Sequence, residues 1–381
     1  MRRIIWAGGA AGFVAAAIAC GSSSSGDNAS DASVQDAGNA NDSSFSDGSS
    51  PPDAAFDAGL APTPPCSGAL SGLTFYDGWS SPCALAPPVN TTGWEDCSYI
   101  SASGSRLYFG YTQFDFDALG QGMFVADGPL RPGEIRPGFE IYEATIADGG
   151  WNVTASTVNL NDASISEAAE GVDDSETTMA FIRYDAPTNA GDVYLSKKSG
   201  GVWGTAQKLA APINTACVED NAALSRDGLR LYFDSNRADD LGTTCKAASD
   251  SSTRTIYVST FDGANWGAPV QIPGAPNTGA VHWQIYPRED PTLYWAGGDT
   301  DCKAEACIYR ASLESDGGYG DKTLVVQPVA VGTATPGDVI AVGEVSITRD
   351  GHWMYFTYIQ EITTADGGIG ANLNIGVAHH L

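Results

Sequence analysis

Residues 218–237 read VEDNAALSRDGLRLYFDSNR, residues 255–266 read TIYVSTFDGANW and residues 267–272 read GAPVQI. The pattern predicts four short strands: Asn221 to Ser225, Arg230 to Asp234, Ile256 to Phe261 and Trp266 to Ile272. Arg226-Asp227-Gly228 joins the first two. Asp-Gly between apolar runs signals a hairpin, because glycine takes positive φ without steric cost. The unit recurs along the chain, so it reads as one blade of a β-propeller rather than a domain of its own.

Second strands end in an aromatic at Leu107-Tyr108-Phe109, Met179-Ala180-Phe181, Leu231-Tyr232-Phe233, Leu293-Tyr294-Trp295 and Met354-Tyr355-Phe356. Third strands follow at Ile141-Tyr142, Val193-Tyr194, Ile256-Tyr257, Ile308-Tyr309 and Ile375-Gly376. Trp151, Trp203, Trp266 and Tyr319 lead into fourth strands. Alternation at this short spacing fits antiparallel strands packed between neighbouring blades. The expected fold is all-β, a five-bladed propeller of four-stranded antiparallel blades.

The fourth strands also suggest how the ring closes. Asn214 lies eleven residues after Trp203, Asn277 eleven after Trp266, and Asn90 eleven after Trp79. The Trp79 copy precedes the first blade, while the last repeat stops after its third strand. Residues 73–89 are therefore expected to supply the outer strand of the last blade, which removes the open edge.

NAALSRDGLRLYFDSNR followed by IYVSTF resembles the TolB-type, WD-like propeller repeat. Ser225, Asp227, Gly228, Ser235 and Arg237 match it. Ser101, Ser103 and Gly104 match in part, as do Thr348, Asp350 and Gly351. Ser175-Glu176 and Glu289-Asp290-Pro291 depart from the pattern. The resemblance implies a binding scaffold and does not fix a ligand.

The 381-residue chain has a net charge of −27, with 19 Lys plus Arg, and its only basic run is Met1-Arg2-Arg3. That surface repels a phosphate backbone and argues against nucleic acid. Arg2 and Arg3 precede an apolar stretch, Ile4 to Ile18, of signal-peptide length and short for a span. Ala17-Ile18-Ala19-Cys20-Gly21 resembles a bacterial lipobox, which implies cleavage after residue 19 and lipidation of Cys20. Gly21 and Ser22 favour the outer membrane. From Ser22 to Pro65 the chain holds seven Asp, no Lys or Arg, and few large apolar residues. It cannot bury enough surface to offset ordering entropy and is read as a disordered tether. The expected division is signal peptide 1–19, tether 20–65 and propeller 66–381, a monomer anchored in the bacterial envelope.

Long segments at 110–140, 182–192, 234–255, 296–307 and 357–374 fall on one face of such a propeller, with short turns opposite. That asymmetry suggests a binding face for an envelope protein, peptide or glycan. Aligning inner strands on the aromatic column places Asp96, Ala168, Asp220, His282 and Gly343 at one level of the channel mouth. Cys97, Ala169, Asn221, Trp283 and Glu344 form the next level. Glu95, Glu167 and Glu219 align one position earlier, and their repetition points to a structural bond. Asp96, Asp220, His282 and Glu344 are thus candidates for convergence on one pocket. Carboxylates there would suit glycoside cleavage, one as acid and one as base or nucleophile. Several oxygens about an axis would equally suit Ca²⁺. Asp115, Asp117, Asp239 and Asp240 read as solvated loop carboxylates. No phosphate loop, zinc spacing or nucleophile elbow is present.

Seven cysteines remain besides Cys20. Export favours disulfides. Cys302 with Cys307 and Cys217 with Cys245 are candidate pairs. Two of Cys66, Cys83 and Cys97 remain to pair, with Cys83–Cys97 one option.

Overall fold

The computed structural model describes residues 60–381 apart from 114–137, 156–158, 163–164, 186–189, 240–241, 247–253, 280–281, 289–290 and 366. Cys20, the signal segment, the tether up to residue 59, Asp115, Asp117 and Asp240 lie outside the described residues. Among the described residues there is no α-helix, and so none long and apolar enough to cross a membrane.

The described chain opens with β1 (Cys66–Ala69), β2 (Leu73–Phe75) and β3 (Trp79–Leu85). Antiparallel runs follow. The first is β4 (Trp94–Ile100), β5 (Arg106–Thr112), β6 (Glu140–Ala147) and β7 (Gly150–Ala155). Next come β8 (Ser166–Val172), β9 (Thr178–Asp185) and β10 (Ala190–Ser199), with an outer edge split into β11 (Val202–Trp203) and β12 (Gln207–Lys208). The quoted stretch gives β13 (Glu219–Leu224), β14 (Arg230–Ser235), β15 (Thr255–Thr260) and a two-residue β16 (Val270–Gln271). Then come β17 (His282–Arg288), β18 (Thr292–Gly297), β19 (Cys307–Ser312) and β20 (Thr323–Pro328). The chain ends with β21 (Val339–Ile347), β22 (Trp353–Thr363) and β23 (Ile369–His380).

The first strand of each run is an inner strand. β4 packs on β8, β8 on β13, β13 on β17, β17 on β21, and β21 returns to β4. The sheets are therefore arranged about an axis in a β-propeller-like fold. Inner strands are small-residue-rich because they pack closely: a side chain at Gly171 would stand 2.9 Å from the Leu224 nitrogen of the next inner strand. Two of them are also wholly enclosed. Every residue of β4 and of β13 is buried, including Glu95, Asp96, Glu219 and Asp220. Buried polar groups must find partners or remain costly.

Asparagines tie the outer segments to the third strands. Asn214 accepts from the Val193 N–H (2.7 Å) and donates to the Val193 carbonyl (2.8 Å). Asn277 does the same with Ile256, and Asn90 with Ile375. Asn161 repeats the clamp on Ile141, ten residues after Trp151 instead of eleven, so the spacing rule does not find it.

The closure is built as the Trp–Asn spacing indicates, with one correction. β3 lies antiparallel on β23, pairing Trp79 with His380 and Cys83 with Val377. Residues 73–75 do not join it; β2 pairs instead with β20 of the neighbouring sheet. The change of direction falls at Asp77 and Gly78, both with positive φ (63° and 82°). The opening segment thus stitches two sheets together.

Disulfides join Cys217 to Cys245 and Cys302 to Cys307, as the spacing suggests. Cys83 is bonded to Cys66, not to Cys97. The pairing of β1 with β3 sets Ala69 opposite Cys83 and Cys66 opposite Leu85, whereas Cys97 sits on an inner strand.

On one face the Val331 N–H bonds the Lys303 carbonyl and the Gly337 N–H bonds the Glu361 carbonyl, so the loop after β18 and the end of β22 meet the loop between β20 and β21 there. Short turns meet on the other face, where the Asp174 N–H bonds the Arg226 carbonyl and the Arg349 N–H bonds the Ala102 carbonyl.

Candidate functional site in the central channel

All the inner strands bulge at the same height. Two residues on the inner strand oppose one on its neighbour at Cys97-Ser98, Asn221-Ala222, Gln284-Ile285 and Glu344-Val345, and the register also shifts at Glu170. Cys97, Asn221, Gln284 and Glu344 all take positive φ, from 48° to 56°. A bulge re-aims a side chain that regular pleating would send elsewhere.

This register corrects the fourth inner strand by one residue. His282 pairs with Gly297 as Glu219 pairs with Ser235, so His282 belongs to the Glu95 and Glu219 level. Trp283 occupies the Asp96 and Asp220 level, and Gln284 the level of Asn221 and Glu344. The cause is the turn: Tyr286 to Tyr294 is one residue shorter than Ala223 to Tyr232. His282 is consequently not a channel residue. Its Nδ1 meets the Pro276 carbonyl and its Nε2 meets Asp299, each at 2.8 Å. Trp283 packs with Trp94 and Phe139.

Asp96 and Glu344 do come together, with carboxylate oxygens within 4.8 Å of each other. Trp94 Nε1 donates to Asp96 Oδ2 (3.1 Å), and Asp96 Oδ1 has no hydrogen-bond partner within the protein. Glu344 accepts from the Cys97 N–H and from Gln284 Nε2 (2.9 Å), while its own N–H donates to Gln284 Oε1 (3.0 Å). Burial, then the nearby Glu344 charge, holds the Asp96 carboxyl well above the usual range. Burial also raises Glu344, to about 6, with hydrogen bonds from Asp96, Gln284 and the Cys97 N–H opposing the shift. Two carboxyls this close bond to each other only through a shared proton.

Asp220 follows a different course. Its oxygens accept from Tyr184 Oη (2.6 Å) and Arg254 Nη1 (2.7 Å), and the same guanidinium nitrogen reaches Asp234 at 2.7 Å. Asn221 donates to Asp234 through Nδ2, leaving its Oδ1 without a protein partner. Burial works against the Arg254 charge, but Asp234 and Asp220 outweigh it and raise its pKa.

Glu170, between these two groups, was not among the expected residues. Burial first, then the charges of Glu344, Asp220 and Asp234, raises its carboxyl well above the usual range. Its Oε1 is inaccessible and has no protein partner. The sequence signal was present: Glu170 is the second acid, after Glu167, in the small-residue strand Ser166–Val172. Arg254, outside the regular strands, carried no such signal. A cavity of about 20 Å³ at the bulges is lined by Ser98, Tyr99, Glu170, Gln284, Tyr286 and Glu344 among others, with room for a water or a monatomic ion.

The outer level is structural. Glu219 accepts from the Thr215 N–H (3.0 Å) and Thr215 Oγ1 (2.7 Å), and pairs with the fully buried Arg237 at 2.9 Å. Glu95 is held in the same way by Thr91.

No family model matches the chain, and no curated relative matches it. Among solved structures it is similar to a glycoside hydrolase at 11% identity and TM-score 0.45, covering 81% of this chain and 92% of the other. It is similar to a subtype N11 neuraminidase-like protein of an influenza virus from a flat-faced bat, at 11% identity and TM-score 0.42, covering 83% and 97%. It is also similar to an α-L-arabinofuranosidase from Lactobacillus brevis, at 10% identity and TM-score 0.39, covering 76% and 92%. Likeness at this level says nothing about activity.

Proposed function

We propose that the chain is an exported lipoprotein whose five-bladed, TolB-like propeller acts as a binding module, taking a protein, peptide or glycan on the long-loop face. The five-blade count is supported by the circuit of inner strands from β4 round to β21 and back. The anchor is supported by Arg2-Arg3, the apolar segment and Ala19-Cys20, which would place the module at the outer membrane. One observation carries the binding reading. The polar groups that could cut a glycosidic bond are engaged with one another, Asp220 with Arg254 and Tyr184, Glu344 with Gln284 and the Cys97 N–H. The cavity between them is far smaller than a sugar ring.

A second reading, a carbohydrate-active enzyme, is favoured by the Asp96–Glu344 pair. One raised carboxyl beside a second at about 6 is the protonation pattern of an acid and a base, and their oxygens lie within 4.8 Å. Both readings are tested by presenting the purified protein to glycan and peptide arrays and, in parallel, to envelope and plant polysaccharides with reducing-sugar detection. Array binding that survives Asp96→Asn, without sugar release, supports the binding module. Sugar release lost in Asp96→Asn overturns it in favour of the enzyme.

A further inference from the structure

The bulge level carries more oxygen than it can satisfy. Asp96 Oδ1, Ser98 Oγ, Glu170 Oε1 and Asn221 Oδ1 are all inaccessible and lack a hydrogen-bond partner within the protein. Asp96, Ser98 and Asn221 are 0%, 5% and 1% exposed. Ser98, Glu170, Gln284 and Glu344 line the cavity at the bulges. A buried acceptor left unmet costs about 1–3 kcal/mol, more when charged, and Ser98 and Glu170 line the same cavity, which calls for a common partner there.

The electrostatics give that partner its sign. Asp96, Glu170, Asp220, Asp234 and Glu344 face the channel, and Arg254 is the guanidinium bonded to Asp220 and Asp234. Asp96, Glu170 and Glu344 are each held above their ordinary pKa by burial and, for Asp96 and Glu170, by the other acids. The donor set is hard: carboxylates, a hydroxyl and amide carbonyls. The Cys97 sulfur also lies within 4.8 Å of the Asp96 and Glu344 oxygens and, being soft, is left out of the shell of a hard cation. Oxygens from several flexible side chains suit the larger, less directional Ca²⁺ better than Mg²⁺, which needs a near-ideal octahedron and sheds water reluctantly.

We infer that the bulge belt is a Ca²⁺ site, with Asp96, Glu170 and Glu344 as charged ligands and Ser98, Asn221 or Gln284 supplying neutral oxygens. The ion would join inner strands of different blades at the axis, a structural role independent of what the long-loop face binds.

The test uses the full chain with disulfides intact, stripped with chelator and back-titrated with CaCl₂ or MgCl₂. Elemental analysis should find a single Ca²⁺ per chain. The thermal midpoint should rise to saturation with CaCl₂ and less with MgCl₂. Tb³⁺ should give luminescence sensitised by Tyr99 and Tyr286, displaced by Ca²⁺. Glu344→Gln and Glu170→Gln keep side-chain shape and should abolish all three responses. Ser98→Ala, which leaves the charge untouched, should weaken them. Wild-type protein that takes up no Ca²⁺ overturns the proposal and leaves a shared Asp96–Glu344 proton in its place. Folded variants that bind as wild type does also overturn it, by putting the ion elsewhere.

Discussion

Two belts of buried carboxylates lie one above the other in this molecule. In the outer belt Glu95 and Glu219 each accept from a threonine four residues earlier, and Glu219 also meets Arg237. In the bulge belt Asp96 and Glu344 lie within 4.8 Å of each other, Glu170 lines the cavity with Glu344, and Asp96 and Glu170 each keep an orphaned oxygen. The outer belt repeats the same local solution in different blades, which is what structure requires. The inner belt holds Cys97, Glu170, Asn221, Gln284 and Glu344 at its bulges, and a mixed set on a symmetric frame is where a ligand can be distinguished. Repetition and departure from it therefore separate scaffold from site more reliably than burial does.

The comparison breaks most visibly at Glu219. Glu219→Ala should cost about 3–5 kcal/mol, because Arg237 is left buried without its charge partner. Urea unfolding measures it, and a loss under about 1 kcal/mol would make the outer belt no more structural than the inner. Next in size is the closure. Cys66→Ser with Cys83→Ser should lower stability by about 2–4 kcal/mol in a non-reducing melt, since the link holds β1 on the ring-closing β3. An unchanged midpoint would mean that β3 docks without the link. Asn214→Ala removes bonds to Val193 and Leu209 and should cost about 1–3 kcal/mol by the same measurement, with Asn161→Ala similar if the clamps are equivalent.

The smallest effect sharpens the inner belt. Glu344 has its folded pKa raised from 4.5 to about 6, so the folded state holds its proton more tightly than the unfolded chain. Stability from this group is complete below about 4.5 and is lost as pH rises through about 6. Asp96 and Glu170 shift in the same direction. In chelator, wild-type melting temperature should fall across that window, and Glu344→Gln should flatten the fall. An equal slope in both proteins would assign the titration to other groups.

Much of the architecture was legible because it is local and repeated. The aromatic column, the Asp-Gly turn and the Trp–Asn spacing recur at fixed intervals, so β13 to β15 lie within two residues of their expected bounds. Register across a bulge was not legible. His282 was set one level too high because a single missing turn residue shifts everything counted from the aromatic column. Asp220 and Glu344 look alike as acids in an inner strand; nothing local says that Arg254, thirty-four residues on, neutralises one and not the other.

The sequence by itself determined the all-β periodicity, the repeat and the return of the Trp79 segment to the last sheet, and it offered Cys217 with Cys245 and Cys302 with Cys307 as candidate pairs. Each depends on spacing along the chain, which the sequence states outright. Only the tertiary structure decided that residues 73–75 cross to β20, that His282 leaves the channel, and that Glu170 lines one cavity with Glu344. Those outcomes depend on how separate strands are packed and how each bulge turns its side chains. A carboxylate's partner, and hence its charge, is set by strands far away in the chain.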